Sequence, residues 1–122
     1  MVNFVVIVKN ASDLANIQLF GTQDPYVEVA TSSDKKRTQT NNNGGKNPRW
    51  DEEVRISAPD MNGIMKFTIW NDNIGKDTVI GTAMVDLSAL AAFKGVWETT
   101  LQVKTAKNKS QGELYVKLTW VA

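Results

Sequence analysis

The residues of this chain best equipped to do chemistry are carboxylates and amides in two short stretches. Residues 71–77 read Asn-Asp-Asn-Ile-Gly-Lys-Asp, and Asp24 stands directly before a proline. Carboxylate and amide oxygens are hard ligands, which suit Ca²⁺ or Mg²⁺ better than zinc. The same residue types are also ordinary turn formers, because their side chains bond to nearby backbone groups. The chain therefore offers oxygen donors for a divalent ion, with simple loop structure as the alternative.

Other kinds of chemistry are poorly represented. The chain contains no cysteine and no histidine, which excludes disulfides, thiolate nucleophiles, Cys-based zinc sites and the commonest general base. The acids that remain form no recognisable nucleophile motif, so we expect a protein that is not an enzyme. The net charge is +1, from 14 basic and 13 acidic residues, and it supplies no general attraction to nucleic acid.

Short strands separated by turn signals must position the oxygen donors. Apolar and polar residues alternate in residues 54–57, 65–70 and 97–103, and most clearly from Leu114 to Trp120. This period of two predicts strands with one buried face. Residues 2–8 are a continuous β-branched run, which predicts a fully buried strand.

Two further segments complete the predicted elements. Residues 35–40 predict a polar, exposed strand, and residues 87–93 predict a helical turn or short helix. Seven or eight short strands predict an all-β fold, an eight-stranded antiparallel β-sandwich of the Greek-key kind. The 122 residues show no break in composition, so we expect one domain over residues 1–122. No apolar run approaches the roughly 18 residues of a membrane span, so any membrane contact is expected to be peripheral.

Four blocks of sequence, taken in order, resemble the C2 domain family. That family consists of β-sandwiches that dock on phospholipid membranes, often through Ca²⁺ held between loops at one end. The order of the blocks is similar to the type II arrangement of the fold. The blocks are Val6-Ile7-Val8-Lys9-Asn10-Ala11 with Leu14, then Asp24-Pro25-Tyr26-Val27 and Asn47-Pro48-Arg49-Trp50-Asp51-Glu52, then residues 70–81, and finally Gly112-Glu113-Leu114-Tyr115-Val116-Lys117-Leu118.

The resemblance implies that three loops, residues 16–24, 41–48 and 71–78, gather at one end and that the first and third supply calcium ligands. Amides stand at several positions where the family usually has aspartates. If each exchange costs a net ~1.5 kcal/mol, three would weaken binding about a thousandfold, from micromolar toward millimolar. We therefore expect Ca²⁺ to bind weakly or not at all. The implied ligand positions are Gln18, Asp24, Asn71, Asp72 through its carbonyl, Asn73 and Asp77, with Thr78 as an alternative to the last.

Apolar residues occur in two of these loops. Leu19 and Phe20 lie in the first loop and Ile74 in the third, at the end that would face a bilayer. Each inserted side chain would contribute about 1.5 to 3 kcal/mol on leaving water. The alternative is that Leu19 and Phe20 fold back over the end of the sandwich.

Basic residues near the third and fourth strands form a candidate patch for anionic lipid. Its members are Lys36, Arg37, Lys46 and Arg49. A cluster of this kind attracts anionic lipid at about 1 kcal/mol per charge. Glu28, which stands where groove-binding relatives have lysine, dilutes the charge. A solvated edge strand explains the same lysines equally well, because lysine discourages edge-to-edge pairing.

These observations predict a cytoplasmic membrane-targeting module that binds anionic phospholipid surfaces with weakened calcium dependence. The alternative is a calcium-independent scaffold for a protein partner. The exchange of aspartates for amides in the implied calcium loops favours the scaffold. The apolar loop tips favour the membrane.

Overall fold

Eight antiparallel strands contain more than half of the residues in the structure, a computed structural model that describes residues 1–121. The predicted all-β antiparallel fold is confirmed, and the predicted short helix is present as one 3₁₀ helix, Leu87–Ala92. In chain order the strands are β1 (Val2–Ser12), β2 (Pro25–Ala30), β3 (Lys35–Arg37), β4 (Arg49–Ala58), β5 (Ile64–Asn71), β6 (Thr78–Asp86), β7 (Val96–Lys104) and β8 (Ser110–Val121).

The strands form two layers that meet at one seam. The hydrogen-bonded order is β3-β2-β5-β6-β7-β8-β1-β4, so one layer is β3-β2-β5-β6 and the other is β7-β8-β1-β4. Within the described residues, β6 and β7 share a single pair, Thr82 with Lys104. Gly81 lies beside this pair, and a Cβ at position 81 would overlap Val103 Cγ1. A glycine therefore permits the close approach of the two layers.

The core lies between the layers and is built from alternating residues. In β5 the inward residues Met65, Phe67 and Ile69 are all fully buried, and in β8 the corresponding residues are Leu114, Val116 and Leu118. These two inward faces were predicted from the period-two pattern and are confirmed. Each such side chain stabilises the fold by about 1.5 to 3 kcal/mol.

Strand β3 is shorter than the sequence predicts, because a side chain ends its ladder. The prediction was a strand over residues 35–40, and the structure has Lys35–Arg37. Thr38 is buried, and its Oγ1 accepts a hydrogen bond from the Val27 N–H at 3.0 Å. The hydroxyl takes the place of the carbonyl that a continuing strand would offer to β2.

Three connections come together at one end of the sandwich, here called the loop end. They are loop 1 (residues 13–24), loop 2 (residues 38–48) and loop 3 (residues 72–77). Hydrogen bonds join them, since Leu14 N donates to Lys46 O at 3.0 Å and Asp72 N donates to Asp24 O at 2.9 Å. No helix within residues 1–121 has the length and apolar character needed to cross a membrane.

Candidate functional site

Asn71 lies at the centre of the loop end. It is the last residue of β5 rather than the first residue of a loop, and it is 2% exposed. Its Oδ1 accepts the Asp24 backbone N–H at 2.8 Å, and its Nδ2 donates to Gln18 Oε1 at 2.7 Å and to Asn73 Oδ1 at 3.1 Å. A backbone N–H can only donate, so it fixes Oδ1 toward Asp24 and Nδ2 toward the other two oxygens.

Asp77 connects loop 3 to β2. Its Oδ2 accepts the Tyr26 hydroxyl proton at 2.6 Å, and its Oδ1 accepts the Asn73 backbone N–H at 3.0 Å. These two bonds, the Tyr26 bond first, hold the pKa of Asp77 below its ordinary value. The Arg37 guanidinium lies 3.6 Å above the centre of the Tyr26 ring, a cation–π contact that adds to the connection. The Asp77 carboxylate therefore anchors loop 3.

The two remaining acidic positions face loop 2. Asp24 Oδ1 accepts the Asn43 backbone N–H at 2.7 Å, and Asp72 Oδ2 accepts the Thr40 hydroxyl proton at 2.7 Å. All six positions that the family resemblance implied as ligands thus lie at the loop end, and each makes at least one hydrogen bond to another part of it.

These residues do not fit a divalent cation at the centre of the cluster. The Asn71 Nδ2 hydrogens already lie between Gln18 Oε1 and Asn73 Oδ1, where an ion would need oxygen ligands on all sides. In the described part of the chain, no three or more His, Cys, Asp or Glu side chains are grouped so that they could hold a metal ion.

Gln23 is a structural residue of the loop end that sequence reasoning missed. It is 1% exposed, and its Nε2 donates to Ala15 O at 2.9 Å and to Gly45 O at 3.0 Å. Its Oε1 accepts the Ile17 N–H at 3.2 Å. The side chain therefore joins loop 1 to loop 2. A glutamine beside an aspartate gives no sequence signal of this role, because its partners lie up to 22 residues away.

We expect Gln23→Leu to lower the free energy of unfolding by about 2 to 3 kcal/mol. The leucine fills similar volume but removes the partner of two carbonyls and one N–H at a part-buried position. Urea denaturation measures the loss. The matched control is Gln39→Leu at an exposed position of loop 2, which should change the free energy little. Equal effects of the two variants would show that the Gln23 bonds contribute nothing specific.

The contact between Tyr26 and Asp77 makes the stability of the fold fall with rising pH in the alkaline range. Burial, followed by the bond to Asp77, raises the pKa of Tyr26 from 10.0 to about 12. The folded state therefore holds this proton more tightly than the unfolded state. Its contribution is complete below pH 10 and is lost as the pH rises to about 12. As the pH rises from 9 to 12, the free energy of unfolding should fall less in Tyr26→Phe than in the wild type. Urea denaturation at each pH measures the two declines. A parallel decline in the two proteins would contradict this assignment.

The apolar tips of loops 1 and 3 point into solvent. Leu19 is 88% exposed, Phe20 82% and Ile74 fully exposed. The alternative that Leu19 and Phe20 fold back over the sandwich is therefore wrong for this structure. Ile17, which the sequence analysis did not single out, adds a further partly exposed apolar residue to loop 1.

The candidate basic patch divides into two groups. Lys36 and Arg37 line a shallow hollow of about 310 Å³ together with Arg55. Arg37 is also committed locally, since its Nε donates to Thr38 O at 2.9 Å and its Nη2 donates to Thr40 Oγ1 at 3.0 Å. The hollow therefore contains three cationic side chains, one of which supports the loop end, and one carboxylate, Glu53, which pairs with Arg55 at 2.9 Å.

The second basic group lies near loop 2 and is paired with acids. Arg49 Nε lies 2.5 Å from Asp51 Oδ2, and Lys46 Nζ lies 4.0 Å from Asp13 Oδ1. All four side chains are at least half exposed, so the pairs contribute little to stability. They lower the net positive charge of this group.

The geometry can be compared with known proteins. The family model for the C2 domain matches residues 2–103. Elicitor-responsive protein 1 of Oryza sativa subsp. japonica is 30% identical over 113 residues, which cover 84% of this chain and 71% of that protein. Protein SRC2 of Glycine max is 29% identical over 119 residues and 86% of this chain. This chain spans only 41% of the length of Protein SRC2 and 28% of an Arabidopsis thaliana relative, the probable ADP-ribosylation factor GTPase-activating protein AGD13.

Solved structures agree with the family match. A C2 domain of plant Extended Synaptotagmin 1 superposes with a TM-score of 0.81 and 25% identity, covering 97% of this chain and 92% of that one. A structure described as a C2 domain superposes over 100% of both chains, with a TM-score of 0.78 and 22% identity. The second similarity supports the fold alone.

Proposed function

Because the chain belongs to the C2 domain family, we propose that it is a peripheral membrane-targeting module that binds anionic phospholipid through loops 1 and 3. The observation that carries this proposal is the exposure of Leu19, Phe20 and Ile74 at one end of the sandwich. Large apolar side chains in solvent at a shared end are typical of a surface that contacts another apolar phase. We propose a binding role, with no catalytic residue, in the cytoplasm.

Insertion of the loop tips would supply most of the binding free energy. Three apolar side chains at about 1.5 to 3 kcal/mol each give a gross gain of several kcal/mol. Lys76 in loop 3 is exposed and would add about 1 kcal/mol near an anionic surface, whereas the charge of Lys46 in loop 2 is partly offset by Asp13. Lys36, Arg37 and Arg49 are further candidates for headgroup contact. Part of the gross gain is lost in immobilising the protein.

Calcium is proposed to have a weak effect or none. Gln18, Asn71 and Asn73 supply neutral oxygens where carboxylates would supply charge, and the central amide is a hydrogen-bond donor. The affinity expected from the loss of three charges is near millimolar, too weak for a sensor of cytosolic calcium.

Sedimentation with vesicles tests the proposal. The protein is mixed with vesicles of phosphatidylcholine, or of phosphatidylcholine and phosphatidylserine, in calcium and in chelator. We expect binding to the phosphatidylserine vesicles, with less than about a threefold difference between calcium and chelator. Absence of binding in both conditions, with vesicles that bind a known membrane protein, would refute the proposal.

A protein-interaction scaffold is the second candidate function. The saturation of the loop-end oxygens by internal hydrogen bonds favours it, because a loop end without an ion has lost one means of binding lipid. The outer face of the β7-β8-β1 layer carries a hollow of about 430 Å³ lined by Lys9, Glu98 and Tyr115. A partner that is still retained after Leu19, Phe20 and Ile74 are changed to serine would select this function.

A further inference from the structure

We propose that the Asn71 carboxamide takes the place of a cation at the loop end and holds loops 1 and 3 in their docking arrangement without any ion. Asn71 is then a positioning residue, which acts through the loops it joins. The inference that the arrangement serves docking rests on the proposed membrane function. The inference that Asn71 maintains the arrangement does not.

The first step of the argument is that every hydrogen-bonding group of Asn71 is used. A carboxamide has one oxygen acceptor and two N–H donors. The oxygen accepts from Asp24 at 2.8 Å, and the nitrogen donates to Gln18 at 2.7 Å and to Asn73 at 3.1 Å. Two of the partners lie in loop 1 and one in loop 3, so a single buried side chain connects the two loops.

The second step concerns direction. Asn73 is itself fixed, because its Nδ2 donates to Lys76 O and to Thr78 Oγ1, each at 3.2 Å. Its Oδ1 must therefore face Asn71, as an acceptor. Two oxygens from different loops thus converge on the partially positive hydrogens of one amide, in the way that they would converge on a positive ion.

The third step is a substitution that changes only this feature. Asn71→Asp has almost the same shape and keeps the oxygen that accepts the Asp24 N–H. It replaces the donor with a second carboxylate oxygen, close to Gln18 Oε1 and Asn73 Oδ1. The new carboxylate oxygen and Asn73 Oδ1 then face each other without a proton between them, because the Nδ2 bonds of Asn73 hold its orientation, whereas Gln18 is free to turn its amide. Such a cluster is unstable alone and favours a divalent cation.

Thermal unfolding of the whole chain in chelator and in millimolar calcium is the direct test. We expect the wild-type midpoint to change by less than about 2 °C between the two conditions. Asn71→Asp should lower the midpoint in chelator by roughly 5 to 10 °C, and calcium should restore at least half of the loss. Barium at the same concentration should restore less, because it is too large for a compact oxygen site.

The matched control is Asn42→Asp. Residue 42 is exposed in loop 2, and its side chain makes no hydrogen bond within residues 1–121. The same change of charge at the same end should leave the midpoint within about 2 °C of the wild type in both conditions. If Asn71→Asp behaves like Asn42→Asp in chelator, or if the wild type gains as much from calcium as Asn71→Asp does, the proposal is overturned.

A measurement on the wild type keeps the proposal testable if Asn71→Asp fails to fold. Hydrogen exchange of the Asp24 backbone amide should be slow in chelator and unchanged by calcium, since its acceptor is Asn71 Oδ1. Fast exchange in chelator that slows only with calcium would show that an ion, not the amide, orders the loops.

Vesicle binding connects the inference to the proposed function. The wild type should bind phosphatidylserine vesicles equally in calcium and in chelator, whereas Asn71→Asp should bind about tenfold less in chelator than in calcium. If no variant binds vesicles, the membrane proposal fails and the unfolding and exchange measurements still decide the role of Asn71. If Asn71→Asp binds equally in both conditions while the wild type also binds, the positioning role fails alone.

Discussion

Changing Leu19, Phe20 and Ile74 together to serine is expected to reduce binding to phosphatidylserine vesicles by at least a hundredfold. The three side chains are between 82% and 107% exposed, so they contribute little to the fold and can be removed from it safely. At the lower estimate of about 1.5 kcal/mol for each inserted side chain, loss of all three would weaken the affinity for vesicles more than a thousandfold. Incomplete insertion reduces this figure. Sedimentation over a series of lipid concentrations measures the change.

A second triple variant serves as the control for surface hydrophobicity. Ile64, Met84 and Val96 are also at least half exposed, but they lie on strands and strand ends away from the loop tips. Their replacement by serine should leave vesicle binding within about threefold of the wild type. Equal losses in the two triple variants would mean that non-specific surface hydrophobicity, rather than the loop end, drives binding to vesicles. Unchanged binding in the loop variant would exclude insertion of the tips.

Gly112→Ala is expected to produce a large loss of stability from a single methyl group. Gly112 has φ of +92°, and a Cβ at this position would lie 2.8 Å from Asp13 O and 2.9 Å from Ser12 O. Both atoms are backbone, so no side-chain rotation relieves the contact. Strain from positive φ and displacement of the β1 end together should cost about 3 kcal/mol in the free energy of unfolding.

The control for this substitution is Gly63→Ala in the turn between β4 and β5. No atom lies within 4 Å of a Cβ at position 63, and its φ is not positive. Urea denaturation should find the control within about 0.5 kcal/mol of the wild type. If the two alanine variants are equally stable, the close contact between β8 and the end of β1 does not limit the residue at position 112.

The strands could be predicted because burial imposes a period of two on them. Met65, Phe67 and Ile69 are fully buried as their alternation predicts. Antiparallel pairing then places every second connection at the same end of the sandwich. Asp24 and Asn71 therefore lie close enough to share a hydrogen bond. The family resemblance added the expectation that this end carries the function.

The details of the loop end could not be predicted, because they depend on partners distant in sequence. Gln18 and Asn71 are 53 residues apart, and Tyr26 and Asp77 are 51 apart. No local pattern predicts the orientation of a side-chain amide such as that of Asn71. Nor does any predict that the Thr38 hydroxyl ends strand β3. Sequence placed Asn71 in a loop, whereas its pairing with Pro25 and Thr78 makes it part of β5.

The single rung between Thr82 and Lys104 has a consequence for slow motion. Most of the neighbouring edges of β6 and β7 are not hydrogen-bonded to each other, so the sandwich should open along this line more readily than between fully paired strands. Backbone amides of β6 beyond the rung should then exchange with deuterated solvent sooner than those of β1, which is bonded to a strand on each side.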